Sequence, residues 1–328
     1  MKTELAPGEI LDGRFQVTKL ISHGGLASVF EAVDRRTGSP VALKVPFPGY
    51  ESDPVYYSRF LKEEAIGQSL NHSSVVRFLP AGEKSRPYIV MERLEGRLLS
   101  DLLKEGQPLP VDQALRIAAQ AARALEYLHG RKVVHRDLKP GNIMLCSDGS
   151  LKLIDLGLAT SEQHRESAPP LLSPAVGTPD YMPPEQVLGK TGDLRSDLYT
   201  LGAILYEMAT GFVPFRGDNV LAVMNARLVG DPEPPRRLNP NLSPQLEEII
   251  LRALERDPRN RYGSAAEFRK DLEDPDRVVP GDRASRLRAP RPWQLEWMRM
   301  REFIWSFLSI LAIFALAILF VWKFGRHR

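Results

Sequence analysis

The stretch His135-Arg136-Asp137-Leu138-Lys139-Pro140-Gly141-Asn142, with Asp155-Leu156-Gly157 close behind it, constrains this chain more than any other feature. It packs a potential base, a cation and two oxygen ligands for a metal into one short span. Asp137 can orient a hydroxyl group and take its proton. Lys139 beside it can offset charge on a transferring phosphoryl group. Asn142 and Asp155 offer the hard oxygen ligands that suit Mg²⁺. Together they are the parts that phosphoryl transfer to a hydroxyl requires. The plainer reading is a polar turn between two strands that happens to carry charges. Agreement at eight positions weighs against it.

The rest of the chain supplies a frame for such a site. Residues 15–21 and 27–33 read as strands paired around a Gly-containing turn. Residues 41–45 read as a third strand and 86–92 as a fourth, with helical character over 59–70. After Gly96 the pattern changes. Ala114, Ile117, Ala121, Ala124 and Leu128 recur at helical spacing, and Gly130 marks a stop. Residues 198–209 and 246–254 are further apolar helical stretches. A strand-rich half followed by a helix-rich half predicts an α+β fold of two lobes, 10–94 and 95–273. Residues 161–180, rich in Ser and Pro, read as a surface loop.

Charge divides the chain unevenly. The net charge is +3, but from Asp274 onward ten Lys/Arg face five Asp/Glu, so the tail carries +5 and the body −2. A basic tail on a near-neutral body points to an anionic partner for the tail alone. Nothing points to nucleic acid. The single cysteine, Cys146, sits in an apolar run and reads as a small buried side chain, which fits a reducing compartment.

Residues 303–322, FIWSFLSILAIFALAILFVW, hold no charge, Pro or Gly. At ~1.5 Å rise per residue they span ~30 Å, the thickness of a bilayer core. Trp305 and Trp322 lie near the ends, where indole rings prefer to sit. This predicts one C-terminal transmembrane helix, preceded by a basic Pro/Arg-rich juxtamembrane linker (274–302) and followed by a short basic tail (323–328). Met1-Lys2-Thr3-Glu4 lacks the apolar core of a signal peptide. Six Arg on the body's side of the span, against three cations in the tail, agree with a body on the cytoplasmic side. Anionic lipid headgroups are natural contacts for the linker.

Two further motifs lie upstream. Ser22-His23-Gly24-Gly25-Leu26-Ala27-Ser28-Val29 is a glycine-containing turn whose backbone N–H groups can approach phosphate oxygens. One strand later comes Val41-Ala42-Leu43-Lys44. A Lys on a central strand needs a carboxylate to keep it oriented and charged. Glu63 and Glu64 are the candidates. Counting back from Leu70-Asn71-His72 favours Glu63, and the other is expected on a solvated helix face.

With these motifs in this order, the chain resembles a Hanks-type Ser/Thr protein kinase of the bacterial membrane-anchored kind, over about residues 10–273. The resemblance implies the bilobal protein kinase fold, ATP with Mg²⁺ (or Mn²⁺) as cofactor, and protein substrates. Its departures are Ser22 and Ala27 at the outer Gly positions and Leu156 in place of Phe. By resemblance, Lys44 reaches the phosphates, and Ile21, Ser22, Gly24, Gly25, Val29 and Ala42 enclose the nucleotide. Met91 stands at the gatekeeper position, and the backbone of Glu92 and Leu94 holds the base. Lys139 marks the Ser/Thr class, and Thr178 resembles the Thr that bonds the catalytic Asp and Lys. Glu185 would pair with Arg261, and Asp197 would bond the backbone of the His-Arg-Asp turn.

Arg136, a cation beside the base, suggests control by a phosphorylated loop residue. Thr160, Ser161, Ser167 and Ser173 are the candidates, with Ser173 favoured. Control by clustering in the membrane makes a homodimer a further candidate partner. The alternative function is a pseudokinase, a membrane-anchored scaffold that keeps the fold without turnover.

Overall fold

Alternation of apolar and polar residues lays the first strands side by side. In the computed structural model these are β1 (Ile10–Leu11), β2 (Phe15–His23), β3 (Ala27–Asp34) and β4 (Ser39–Pro46). The structure describes residues 5–51, 53–157, 159–161, 179–281 and 283–287. Two helices follow, the short α1 (Pro48–Glu51) and the longer α2 (Pro54–Ser69), then β5 (Phe78–Leu79) and β6 (Ile89–Glu92). The six strands form one sheet in the order β1-β2-β3-β4-β6-β5. Phe15, Val17, Phe30, Leu43 and Val90 close one face of it into a core of its own. The other face, through Ala42, Ile89 and Met91, joins the main core of the molecule.

α2 begins earlier than its periodicity suggests. The Asp53 side chain accepts from Val55 N at 2.9 Å and Pro54 fills the first helical position, so the start is set by a cap rather than by an apolar stripe. The strand expected over 86–92 starts only at Ile89. The Tyr88 carbonyl is instead taken by Lys84 Nζ at 2.7 Å.

Beyond β6 the chain is mostly helical. β7 (Gly96–Leu98) and α3 (Leu99–Leu102) lead to α4 (Val111–Gly130), which buries Ala114, Ala118, Ala121 and Ala122 together with Ile117, Leu125 and Leu128. Alanines at this spacing let neighbouring elements approach closely. Then come β8 (Val133–Val134), β9 (Ile143–Cys146), β10 (Leu151–Leu153) and β11 (Thr160–Ser161). β9 lies between β10 and β7, and β11 pairs with β8. The remaining helices are α5 (Pro184–Val187), α6 (Leu194–Thr210), α7 (Val220–Val229), α8 (Pro235–Leu238), α9 (Pro244–Ala253), α10 (Ala265–Glu273) and α11 (Arg283–Arg286). α6 is buried along nearly its whole length and packs between α4 and α9. Its start at Leu194 is set by reciprocal hydrogen bonds between Asp193 and Ser196.

Residues 275–281 and 283–287 lie over the large lobe instead of leaving it. Val278 packs against the main core, Arg277 Nε approaches Asp271 at 3.4 Å, and α11 rests on α9. Arg283 donates from its guanidinium and its backbone N–H to Glu248, a carboxylate only 4% exposed, and from Nε to Glu255 at 3.1 Å. The stretch read from composition as linker therefore begins as packed structure. Removing the cation from a buried pair strands its partner, at a cost of about 2–4 kcal/mol. Arg283→Ala is therefore expected to lower the thermal unfolding midpoint by about 5–10 °C. An unchanged midpoint in a melting curve would show the contact to be idle.

Among the described residues, no helix is long and apolar enough to cross a membrane. The expected span 303–322 and the tail 323–328 lie outside the described residues, as do 288–302.

Candidate active site

Lys44 stands on β4 with β3 on one side and β6 on the other, so sheet pairing fixes its backbone. Its Nζ donates to both oxygens of Glu63, at 2.6 and 2.7 Å, and to Asp155 Oδ1 at 3.1 Å. Burial alone would push the Lys44 ammonium toward its neutral form. Asp155 and Glu63 outweigh it and hold the pKa above its ordinary value. Burial lifts the Glu63 carboxyl to about 7, with Lys44 opposing the rise. For Asp155, burial is overcome by Lys44 and by the Gly157 N–H that donates to it at 2.9 Å, so its pKa lies well below the usual carboxylate range. Asp155 thus stays ionised and available to a cation.

Glu64, one helical step further round, does not sit on a solvated face as expected. It pairs with Lys84 from the β5–β6 connection. Each residue of a helix turns about 100°, which carries Glu63 toward the cleft and Glu64 toward the sheet edge. Lys84 was not foreseen, because no local pattern links it to a residue twenty positions away.

α2 is held against the sheet at an unusual point. A Cβ added to Gly67 would come within 2.5 Å of the Phe78 ring. Glycine costs a helix interior about 1 kcal/mol relative to alanine, but here it makes room for a buried aromatic ring. Gly67→Ala is expected to destabilise by about 1–3 kcal/mol, since overpacking outweighs the gain in propensity. It should also push α2, and Glu63 one turn earlier, away from Lys44. A calorimetric scan showing the variant to be more stable than wild type would refute the contact.

The turn after β8 supplies the opposite wall. Asp197, buried on α6, accepts from His135 N at 2.9 Å, Arg136 N at 2.8 Å and His129 Nε2 at 2.8 Å. Arg136 has φ +65°, a left-handed conformation that a non-glycine residue holds only when its surroundings impose it. The two N–H bonds to Asp197 do so. Asp137 follows, its Oδ2 accepting from Lys139 Nζ at 2.8 Å. Asn142 Nδ2 donates to the Asp137 carbonyl at 2.8 Å. Nδ2 also faces Asp137 Oδ2 at 3.4 Å, and Asn142 Oδ1 is left for an incoming cation. The Asn142 carbonyl accepts from Ile154 N at 3.1 Å, which ties this loop to the residue before Asp155. Leu156 is fully buried in the main core, the same packing role that an aromatic ring could fill.

Lys44, Glu63, Asp137, Lys139, Asn142 and Asp155 line one cleft of about 670 Å³. Ile21, Ser22, Gly24, Gly25 and Val29 border it from the β2–β3 turn, and Ala42, Met91, Glu92 and Leu94 from the back. In the turn, Gly24 N donates to Ala27 O at 2.9 Å, and a Cβ at Gly24 would meet that oxygen at the same distance. A side chain there would open the turn. Glu92 donates its N–H to Arg77 O at 2.9 Å. Tyr50, Tyr56 and Asp101 also line the cleft and were not anticipated. They belong to segments without a motif.

Asn142 and Asp155 suit Mg²⁺: one oxygen each, one of them firmly anionic. Among the described residues there is no cluster of three or more His, Cys, Asp or Glu that could hold a metal, so an ion here would complete its shell with other oxygens. Thr160 and Ser161 lie in β11, opposite Val134 and Val133. Thr178, Ser167 and Ser173 lie outside the described residues. At the foot of the large lobe, Arg261 makes two parallel bonds of 2.8 Å to Glu185 and also donates to the Glu255 carbonyl at 2.7 Å.

The protein kinase domain model matches residues 15–271. Among curated relatives, serine/threonine-protein kinase PknB of Mycolicibacterium smegmatis is 36% identical over 294 residues, covering 85% of this chain and 47% of the relative. PknB of Mycobacterium leprae is 38% identical over 267 residues, covering 80% of this chain and 43% of the relative. The chain thus spans under half the length of these relatives. The crystal structure of the Mycobacterium tuberculosis PknI kinase domain superposes with a TM-score of 0.64 at 26% identity, over 83% of this chain and 100% of that one.

Proposed function

This chain belongs to the protein kinase domain family, and from that premise we propose that it is a Ser/Thr protein kinase acting on MgATP and protein hydroxyls. The observation that carries the proposal is the convergence on one cleft of Lys44 and Glu63 from the small lobe with Asp137, Lys139, Asn142 and Asp155 from the large one.

Mg²⁺, when bound, would supply positive charge that offsets the charge of the phosphates. Asp155 and Asn142 would hold it through one oxygen each. Lys44, steadied by Glu63, would grip the phosphates from above. Asp137 would accept the hydrogen of the attacking hydroxyl and align its oxygen. As the new O–P bond forms and the bond from the γ-phosphorus to the bridging oxygen breaks, ADP leaves and the hydroxyl proton passes to the Asp137 carboxylate. Lys139, 2.8 Å from Asp137, is placed to offset charge on the phosphoryl oxygens. Most of the rate would come from positioning and fixed charge. The scaffold alternative draws no support from this site, where every charged group needed for transfer is kept and paired.

Incubating the protein with MgATP and mapping its phosphosites by mass spectrometry tests activity and residue class together. Phosphate on Ser or Thr is expected. Phosphate confined to Tyr, or none, would count against the reading.

The apolar residues 303–322 support a membrane anchor with the kinase in the cytoplasm. Detergent-free fractionation of full-length chain against a chain ending at Leu287 tests it. Equal pelleting of the two with membranes would remove the anchor.

A further inference from the structure

A run of aromatic rings between the glycine turn and the start of α2 is left over from the phosphate chemistry. His23, the last residue of β2, faces Phe47 with ring centroids 6.2 Å apart, and Phe47 faces Tyr50 at 6.4 Å. Tyr50 lies on Tyr56 at 4.6 Å, and the Arg59 guanidinium sits 5.8 Å over the Tyr56 ring. Rings attract one another over roughly 4.5–7 Å between centroids, so each step is a contact.

Backbone bonds pin both ends of this run. Phe47 N donates to Leu26 O at 3.0 Å, inside the glycine turn, and Tyr50 N donates to Phe47 O at 2.9 Å. At the far end Asp53 caps α2, the helix that carries Glu63. Tyr50 and Tyr56 also line the cleft beside Lys44 and Glu63.

We propose that this stack is a positioning device in which Tyr50 couples the glycine turn to the N-terminal end of α2. The turn that covers the phosphates and the helix that holds the partner of Lys44 are thereby set in one geometry. The proposal rests on the kinase reading above. Tyr50 acts through the turn and the helix; no chemical step is assigned to it.

Steady-state kinetics of the full-length protein with varied MgATP test this. Tyr50→Ala removes two ring contacts and is expected to raise KM for ATP about three- to ten-fold. Its kcat should fall as well, because the turn and the Glu63 helix whose geometry it sets take part in transfer. Tyr50→Phe keeps the ring and should keep the wild-type KM. Phe47→Leu breaks the neighbouring link and should show the same losses in KM and kcat.

MgATP affinity, measured by direct titration, separates the two possible failures. A protein without turnover loses the kinase reading, but its affinity for MgATP should still weaken in Tyr50→Ala and not in Tyr50→Phe. Wild-type KM and affinity in both Tyr50→Ala and Phe47→Leu would overturn the coupling. So would losses that Tyr50→Phe shares and that follow a lowered unfolding midpoint.

Discussion

Asp155→Asn is expected to cut phosphoryl transfer by about 10³-fold or more while leaving the fold intact. The substitution is nearly isosteric. An Asn oxygen can still accept from Gly157 N, the bond of 2.9 Å that fixes this side chain. Lys44 keeps Glu63 at 2.6 Å. What disappears is the negative charge, which Lys44 holds ionised across the acidic range and which Mg²⁺ would need. The loss should therefore fall on kcat, and the Mg²⁺ dependence of the remaining rate should move to higher concentration. Initial rates over a Mg²⁺ titration, beside an unfolding curve, measure both. Near-normal rates at wild-type Mg²⁺ would mean that Asp155 does not hold the ion.

Asp197→Ala is expected to be the most damaging change to the scaffold. It would leave the His135 and Arg136 N–H groups without the acceptor they use at 2.9 and 2.8 Å. Each orphaned buried donor costs about 1–3 kcal/mol. Arg136 would also lose what holds it at φ +65°. A total of about 3–5 kcal/mol lowers the unfolding midpoint by about 10 °C in a domain of this size. Activity should fall further than stability, because Asp137 follows directly on the relaxed turn.

The effect carries a pH signature. Burial opposes ionisation of Asp197, but the bond from His129 and the charges nearby overcome it, so its folded pKa lies below the ordinary aspartate value. A depressed carboxylate stabilises the fold above its unfolded pKa and loses that contribution as pH falls through the folded value. The gap in midpoint between wild type and Asp197→Ala should therefore narrow on acidification below about pH 4. A gap that widens there would contradict the assignment.

The site features legible in the sequence share one property: they are charged or polar side chains at fixed spacing in an apolar setting. Asp137, Asn142 and Asp155 announce themselves because so many polar groups beside β9 and β10 need a use. Lys44 stands out as a cation inside a strand pattern, and that demanded a nearby carboxylate. Long-range pairings have no such trace. Lys84 finds Glu64 only once the sheet edge is built. Residues 275–287 have the Arg and Pro content of a linker, and their docking depends on Glu248, a buried carboxylate on α9 whose need is invisible until α9 is packed. Gly67 reads as a weak point in a helix until the Phe78 ring is seen beside it. Helix starts were missed for a similar reason. Asp53 before α2 and Asp193 before α6 act through backbone caps that hydrophobic periodicity does not register.

The central claim is that Lys44, Asp137, Asn142 and Asp155 act on one metal-bound nucleotide. Transfer of label from γ-labelled ATP to protein, in wild type and Asp137→Asn with MgATP affinity measured in parallel, tests it most directly. The wild type should label Ser or Thr, and the variant should lose about 10²–10⁴-fold in rate with its affinity retained. Equal labelling by the two proteins would contradict it.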